Sequence, residues 1–215
     1  EAGYFPEAVV NFLALLGWNP GTEQEILSME ELIHLFSLEK VSKSGAKFDY
    51  EKGKWFNHKY LQEKSNKELA LLFAPVLKEK NITTDETIII KIIGLIKERS
   101  NLIADFWEQS AFFFQAPTVY DEKVVQKRWK SETPQLMSEL IAVLESIPEF
   151  SAANTEEVVK TWIAQKEYNM GAVMNAFRLS VVGELKGPHM FDIIAVIGKK
   201  ETIDRINNAL KNIPI

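Results

Sequence analysis

The sequence contains no cysteine in its 215 residues, which excludes disulfide bonds and thiolate metal sites. It also lacks a long apolar run, since the longest candidate, around Ile88–Ile96, is interrupted by Lys91 and Gly94. A membrane-spanning helix needs roughly 18 or more apolar residues in succession, so we expect no such span and no membrane partner. The absence of cysteine is in keeping with a cytoplasmic protein.

No signal peptide is visible, and the chain opens with glutamate instead of an initiator methionine. The first residues, "EAGYFPEAVV", read as the middle of continuing structure. We therefore expect the sequence to be a piece cut from a longer protein.

The charge balance is acidic, with a formal net charge of −5 from 25 lysines and arginines against 30 aspartates and glutamates. This balance argues against indiscriminate binding of nucleic acid, and we expect no DNA partner, but it does not exclude a local basic patch. The most basic stretch, residues 39–64, carries seven lysines against four acidic residues. Either a nucleic-acid contact or an ordinary solvated lysine-rich face would give this pattern.

Helix punctuation and helical spacing of apolar residues dominate the chain and predict an all-α fold. Pro6 and Gly17 bracket the first apolar helix, and Ser28 with Glu31 forms a capping box before the second. Residues 40–53 read as a loop. Further signals are prolines at first helical positions and glycines at helix C-termini, namely Pro134, Pro188, Gly183 and Gly198.

One segment, "TTDETIIIKIIGLIKERS", fits two kinds of secondary structure. Its β-branched isoleucines would suit a strand, whereas its length and acidic first turn favour a helix. We predict a helix here, capped by Thr83 or Thr84.

The side chains that carry chemistry form no recognisable catalytic pattern. His34, His58 and His189 share no metal-ligand spacing, and the chain has neither a glycine-rich phosphate loop nor a nucleophile elbow. We therefore predict no catalytic residue, no metal site and no bound cofactor. By these criteria alone the sequence indicates a mostly helical protein without a visible active site.

Three longer stretches resemble bacterial-type glutamyl-tRNA synthetases. "GYFPEAVVNFLALLGWNPG" resembles the family pattern G-Y-L-P-E-A-L-x-N-[FY]-L-x-L-L-G-W, and "FSLEKVSKSGAKFDYEKGKWFNHKYL" resembles the segment that follows it. "FRLSVVGELKGPHMFDIIAVIGKKETIDRI" is similar to the family's L-R-L-A-L-T-G-x-x-x-G-P-x-x-F-D stretch near the end. The resemblance is strong at residues 3–61 and 170–206 and weaker between them.

The resemblance implies a C-terminal portion of such an enzyme. Residues 1–62 would be a small helical region that contacts the tRNA stems, incomplete at its N-terminus. Residues 63–117 and 118–215 would be two subdomains of a helical anticodon-binding cage. The parent would be a cytoplasmic glutamate–tRNA ligase that uses ATP and Mg²⁺ in a catalytic domain that this chain lacks, and its partner would be tRNA(Glu). We expect a monomer.

The segment Val41–Ser44, "VSKS", looks like the mobile Lys-Met-Ser-Lys-Ser loop with which class I aminoacyl-tRNA synthetases hold ATP phosphates. In the family that loop lies upstream of the "GYFPEA" segment, and "VSKS" matches the later S-K-S-x-A-x-F-D stretch instead. The resemblance therefore assigns this segment no catalytic role.

The resemblance also implies which residues face the anticodon. Arg178 matches the arginine of the L-R-x-A-L-T-G motif, and Arg99 matches a helix-end arginine expected at the third anticodon base. Gly187, Pro188 and Met190 match the G-P-x-x-F turn beside the anticodon. Val182 departs from the family, which often has threonine there, so no hydroxyl is supplied at this position.

Lysines of the first region are candidates for contacts to the tRNA backbone. Lys43, Lys47 and Lys52 would bind phosphates and thereby position the tRNA without reading its sequence. We expect Phe48 and Trp55 to form a small core that fixes this loop, and Asn57 to cap or bridge backbone groups; Phe191, Ile194 and the Phe112–Phe114 run are further core candidates.

Other functions remain open on the sequence. The chain could be a helical protein-interaction module, because a net negative charge suits protein partners as well as RNA. It could belong to an enzyme that also charges tRNA(Gln). A complete enzyme that uses Val41–Ser44 is the third alternative, and glutamate-dependent pyrophosphate exchange by this chain would establish it.

Overall fold

The computed structural model describes residues 3–43 and 45–214. Over these residues the chain forms twelve α-helices, two short 3₁₀ helices and one isolated β-bridge, which confirms the predicted all-α fold. The chain divides after Gln109 into two compact units, called here the first unit and the second unit. Among the described residues, no helix is long and apolar enough to cross a membrane.

The first half of the chain supplies six α-helices: α1 Pro6–Gly17, α2 Met29–Leu35, α3 Tyr50–Glu63, α4 Asn66–Glu79, α5 Glu86–Ile96 and α6 Asp105–Phe114. The 3₁₀ helices are Leu38–Lys40 and Lys97–Arg99. Within the first unit α1 packs against α3, and α4 packs against α5. Fully buried side chains at the core of this unit are Phe56, Leu61, Leu69, Phe73 and Ile93.

Local sequence signals account for most of the helix starts in the first unit. Pro6 occupies the first position of α1, and the capping boxes of Ser28 with Glu31 and of Ser65 with Glu68 open α2 and α4. In each box the serine hydroxyl and the glutamate carboxylate satisfy backbone N–H groups that have no partner inside the helix. These predicted starts are therefore confirmed.

The isoleucine-rich segment is a helix, as predicted, but its cap is not a threonine. Asp85 precedes α5 in extended conformation, so the helix begins one or two residues later than a cap at Thr83 or Thr84 implies. The predicted loop is also shorter than residues 40–53. Asp49 accepts hydrogen bonds from the N–H groups of Glu51 and Lys52, and α3 therefore begins already at Tyr50.

Two buried polar side chains tie α1 and α3 to their surroundings. The Asn57 side chain accepts from the Phe5 N–H at 2.7 Å and donates to the Asn101 carbonyl at 2.6 Å, which confirms that it bridges backbone groups. The Tyr60 hydroxyl is 2.7 Å from the Leu27 carbonyl and 2.9 Å from Asn11 Oδ1. Burial raises the pKa of Tyr60 to about 12, so the hydroxyl stays protonated at neutral pH.

The second half of the chain supplies six more α-helices: α7 Glu122–Arg128, α8 Thr133–Ser146, α9 Ala152–Gln165, α10 Met170–Val182, α11 Met190–Ile197 and α12 Lys199–Asn212. Within the second unit α10 is the central helix and packs against α7, α8, α9 and α12. α11 packs against α9 and α12. The predicted core residues Phe191 and Ile194 are fully buried, and Phe112 and Phe113 are buried as well. Phe114, also predicted in the core, is only partly buried.

The helix ends of the second unit follow the glycine signals but not every proline signal. Gly183 and Gly198 end α10 and α11 as predicted, whereas Pro134 is the second residue of α8, one position after the predicted one. Pro188 was predicted at a first helical position, and this is wrong. His189 is the N-cap residue of α11, so Pro188 lies outside the helix, in the turn that leads to it.

Replacing Asn57 by alanine should lower the free energy of unfolding by about 1–3 kcal/mol, because the buried Phe5 N–H loses its acceptor. Urea denaturation followed by circular dichroism measures the change. Glu63→Ala is the matched control, since Glu63 is exposed on the same helix and its loss should cost within about 0.5 kcal/mol. Equal midpoints for the two variants would contradict the bridging role of Asn57.

Candidate nucleic-acid interface

The turn between α10 and α11, residues 183–189, has a backbone that requires glycine at its first position. Gly183 has φ of +89°, and its N–H donates to the Leu179 carbonyl to close α10. A Cβ atom on Gly183 would lie 2.9 Å from Pro117 Cβ and 2.9 Å from the Val119 carbonyl oxygen. The Gly183 carbonyl accepts from the Asp121 N–H at 2.9 Å, so this end of the α10–α11 turn is fixed to the segment before α7.

The other end of the α10–α11 turn rests on an aromatic ring. Gly187 has φ of +103°, and a Cβ atom there would lie 3.1 Å from Cζ of Phe112. Pro188 is buried, and Met190, the first residue of α11, is 1% exposed. In this conformation Pro188 and Met190 hold the turn against the core, while the backbone around Gly187 lies nearer the surface.

Arg178 reaches from α10 to this turn. Its side chain is partly buried, and Nη1 donates to the Lys186 carbonyl at 3.0 Å. The structure therefore places Arg178 beside the carbonyl that precedes Gly187, and it buries Pro188 and Met190, which the sequence predicts in the same site. A guanidinium carries five N–H donors in a planar fork, and the bond to the Lys186 carbonyl ties this fork to the turn.

The charges around the α10–α11 turn are mixed in sign. Lys186 lies 3.0 Å from Glu184, and the two ring nitrogens of His189 lie 3.6 Å from Glu156 and 3.9 Å from Asp192. A hydrogen bond from Lys160 holds the pKa of Glu156 below its usual value, so this carboxylate is ionised at neutral pH. The three carboxylates beside the turn would repel the phosphate backbone of a nucleic acid. They would not repel the uncharged hydrogen-bonding edges of its bases.

Arg99 belongs to the first unit. It is exposed at the end of the 3₁₀ helix Lys97–Arg99. The backbone beneath it is well held, because Lys97 Nζ donates to the carbonyls of Gln62 and Lys64 at 2.7 and 2.5 Å. Ser100, which follows, is fully buried and donates to the Ile96 carbonyl. Arg99 therefore projects from a rigid helix end into solvent.

The lysine-rich stretch is less positive in the structure than its sequence indicates. Lys52 lies 2.6 Å from Glu25, Lys54 2.9 Å from Glu51 and Lys64 2.7 Å from Glu7; the amine of Lys40 donates to the Pro20 carbonyl. Lys43 and Lys47 are exposed in the loop before α3. Among the three predicted phosphate contacts, Lys52 therefore stands apart as an ion-paired side chain.

The segment that resembles a mobile ATP loop is anchored in its first half. Val41 forms an antiparallel bridge with Trp18, and the Ser42 N–H donates to the Gly17 carbonyl at 2.7 Å. Ser44, the last residue of the predicted segment, lies outside the described residues. The beginning of the segment is thus attached to the C-terminal end of α1.

The prediction that Phe48 and Trp55 form a buried core under this loop is wrong. Phe48 is 47% exposed and Trp55 is 38% exposed. Phe48 touches Phe12 edge-on, with ring centroids 5.1 Å apart, and Trp55 packs similarly on Phe56. The buried rings are therefore Phe12 and Phe56, and the two predicted residues cover them from outside.

Sequence reasoning missed Arg205, which is 2% exposed on α12. Its Nη1 donates to the carbonyls of Phe112 at 2.6 Å and Val181 at 3.0 Å, and its Nε donates to Glu201 at 2.7 Å. The only local signal is Glu201 four residues earlier, and that spacing is typical of exposed ion pairs on helices. Over the described residues, no group of three or more His, Cys, Asp or Glu residues could hold a metal ion.

Comparison with known proteins gives two family matches. The family described as "Anticodon binding domain" matches residues 59–210. The family described as "tRNA synthetases class I (E and Q), catalytic domain" matches residues 1–55.

Curated relatives and solved structures agree with these matches. The glutamate–tRNA ligases of Phocaeicola vulgatus and Bacteroides fragilis are 57% and 56% identical to 98% of this chain. A crystal structure of a glutamate tRNA ligase from Elizabethkingia meningosepticum in complex with its amino acid has a TM-score of 0.95 and 45% identity over 99% of the chain. The glutamate-tRNA synthetase structure from Elizabethkingia anophelis has a TM-score of 0.91 and 43% identity over 98%.

The chain spans about 42% of the length of these relatives. Its similarity to them runs through both units, and the predicted resemblance to glutamyl-tRNA synthetases is confirmed. The chain belongs to the anticodon-binding domain family, in the form found in glutamate–tRNA ligases.

Proposed function

We propose that this chain is the tRNA-binding part of a glutamate–tRNA ligase and that the α10–α11 turn with Arg178 reads anticodon bases of tRNA(Glu). The observation that carries the proposal is the bond from Arg178 to the Lys186 carbonyl. It places a guanidinium beside the partly exposed backbone of Gly187 in a family that binds anticodons.

The chemistry of the turn suits bases better than phosphates. Anticodon bases are unpaired, so their Watson–Crick edges and faces are accessible to side chains. Arg178 can offer paired donors to a pyrimidine edge or stack its plane on a ring. Gly187 lets a base approach the backbone closely, and the carboxylates of Glu156 and Asp192 disfavour phosphate at the same place.

Contacts outside the turn have separate roles in this proposal. Arg99 meets the third anticodon base from its rigid helix end. Lys43, Lys47 and Lys52 bind phosphates of the stems, with Lys52 exchanging Glu25 for a phosphate. The proposed organisation assigns residues 1–62 to the stems and residues 63–117 and 118–215 to two subdomains of the anticodon cage.

The activity of the longer protein is part of the same proposal. Its relatives are named as glutamate–tRNA ligases, and we infer that the parent joins glutamate to tRNA(Glu) with ATP and Mg²⁺ in the cytoplasm. This chain contributes binding and orientation of the tRNA, as a monomer, and supplies none of the reacting groups.

Replacing Arg178 by alanine should weaken binding of tRNA(Glu) by about 1–3 kcal/mol, the range measured when a base-reading side chain is removed. Filter binding at fixed salt measures the change. Arg128→Ala is the control, because Arg128 is an exposed arginine on α7 of the same unit. Unchanged affinity of Arg178→Ala, or equal affinity of the unaltered chain for tRNA(Glu) with a substituted anticodon, would contradict anticodon reading.

The double variant Lys43→Ala, Lys47→Ala should reduce the dependence of binding on salt. Each lost phosphate contact lowers the slope of log affinity against log salt by about 0.7–0.9, so the double variant should lose about 1.5. The preference for the cognate anticodon should stay the same, since phosphates carry no sequence information. Lys52→Ala is the comparison, and its ion pair with Glu25 predicts a smaller loss of slope. An unchanged slope in the double variant would contradict phosphate contacts by Lys43 and Lys47.

A further inference from the structure

Arg205 is a charged side chain that is almost completely shielded from solvent. The residue is 2% exposed, and its guanidinium donates to two carbonyls and to the Glu201 carboxylate. Removing a cation from water is costly unless its donors are satisfied and its charge is balanced. The two carbonyls accept from Nη1, and Glu201 accepts from Nε and balances the charge, so these three bonds determine the orientation of the group.

The two carbonyls lie at the C-terminal ends of helices. Phe112 is in the last turn of α6, which ends at Phe114, and Val181 is in the last turn of α10, which ends at Val182. Carbonyls in a last turn have no partner inside the helix, and the helix dipole makes that end negative. One guanidinium thus satisfies two helix ends and holds them at a fixed separation.

Both helix ends border the α10–α11 turn. The Phe112 ring lies under Gly187, at 3.1 Å from the position of a Cβ atom there. Val181 lies two residues before Gly183, where the turn begins. The guanidinium of Arg205 therefore holds both the residue whose ring lies under the turn, Phe112, and the end of α10 from which the turn begins.

We propose that Arg205 is a positioning residue for anticodon recognition, which sets the α10–α11 turn through Phe112 and Val181 and does not itself touch RNA. The proposal rests on the proposed function of the turn. A lysine at position 205 keeps the charge but has no planar fork, so it cannot reproduce the two carbonyl bonds and the Glu201 bond together.

The test compares Arg205→Lys with the unaltered chain by two measurements. The first is the ratio of affinities for tRNA(Glu) and for the same tRNA with a substituted anticodon. The second is amide hydrogen exchange over residues 183–190. We expect the affinity ratio to fall by about tenfold, equivalent to loss of one charge-assisted hydrogen bond, and exchange in the turn to rise. Affinity for the substituted tRNA should stay the same, because phosphate contacts elsewhere are intact.

Two further variants keep the proposal testable if Arg205→Lys does not fold. Phe112→Leu removes the ring under Gly187 but keeps the carbonyl, and should also lower the affinity ratio. Leu144→Ala removes a fully buried side chain from α8 of the same unit and should leave the ratio unchanged while lowering thermal stability.

The outcomes separate this proposal from the one on which it rests. An unaltered chain that does not distinguish the two tRNAs overturns the proposed function of the turn. An unaltered chain that distinguishes them, with the same ratio in a folded Arg205→Lys or in Phe112→Leu, overturns the positioning role alone. A reduced ratio in Leu144→Ala equal to that in Arg205→Lys would show general destabilisation and would also overturn it.

Discussion

The buried guanidinium of Arg205 is the interaction on which the candidate interface of the second unit depends. It bonds the last turns of α6 and α10 and is balanced by Glu201 on its own helix. Because a buried cation tolerates few arrangements of its partners, the separation of these helix ends is specified more sharply than apolar contacts alone would specify it. The position of the α10–α11 turn is fixed by the same contacts, because the Phe112 carbonyl accepts from Arg205 while the Phe112 ring lies beneath Gly187.

The two kinds of contact that RNA offers are matched by two kinds of surface in this chain. Around the α10–α11 turn the cations are accompanied by Glu156, Glu184 and Asp192, so the net field is weak and directional donors dominate. In the loop before α3, Lys43 and Lys47 are exposed on a segment whose start is tied to α1. A weak field suits discrimination between bases, and exposed lysines suit attraction of phosphate.

Helix existence was predictable from sequence because the signals are local. A proline at a first position, a serine with a glutamate three residues later and a glycine at a C-terminus each act within one turn of the chain. Pro188 shows the limit of such signals. Its ring suits a helix start, but the backbone of Gly187 must pass over Phe112, and the helix begins only at Met190. The predictions for Phe48 and Trp55 are wrong for a related reason. Whether an aromatic ring is buried depends on how the helices pack, and here Phe12 and Phe56 lie beneath these two rings.

The roles of the arginines and lysines could not be distinguished from the sequence. A sequence shows how many charges a segment carries, but their ion-pair partners are residues far away along the chain. Lys52 and Glu25 are 27 residues apart, and Lys64 and Glu7 are 57 apart, yet each pair is in direct contact. Arg178 and Arg205 both lie in helices with apolar neighbours, and only the fold places one partly in solvent and the other in the core. A resemblance to a family indicates the residue that faces the ligand, whereas the residue that holds it in place is found only from the contacts of the folded chain.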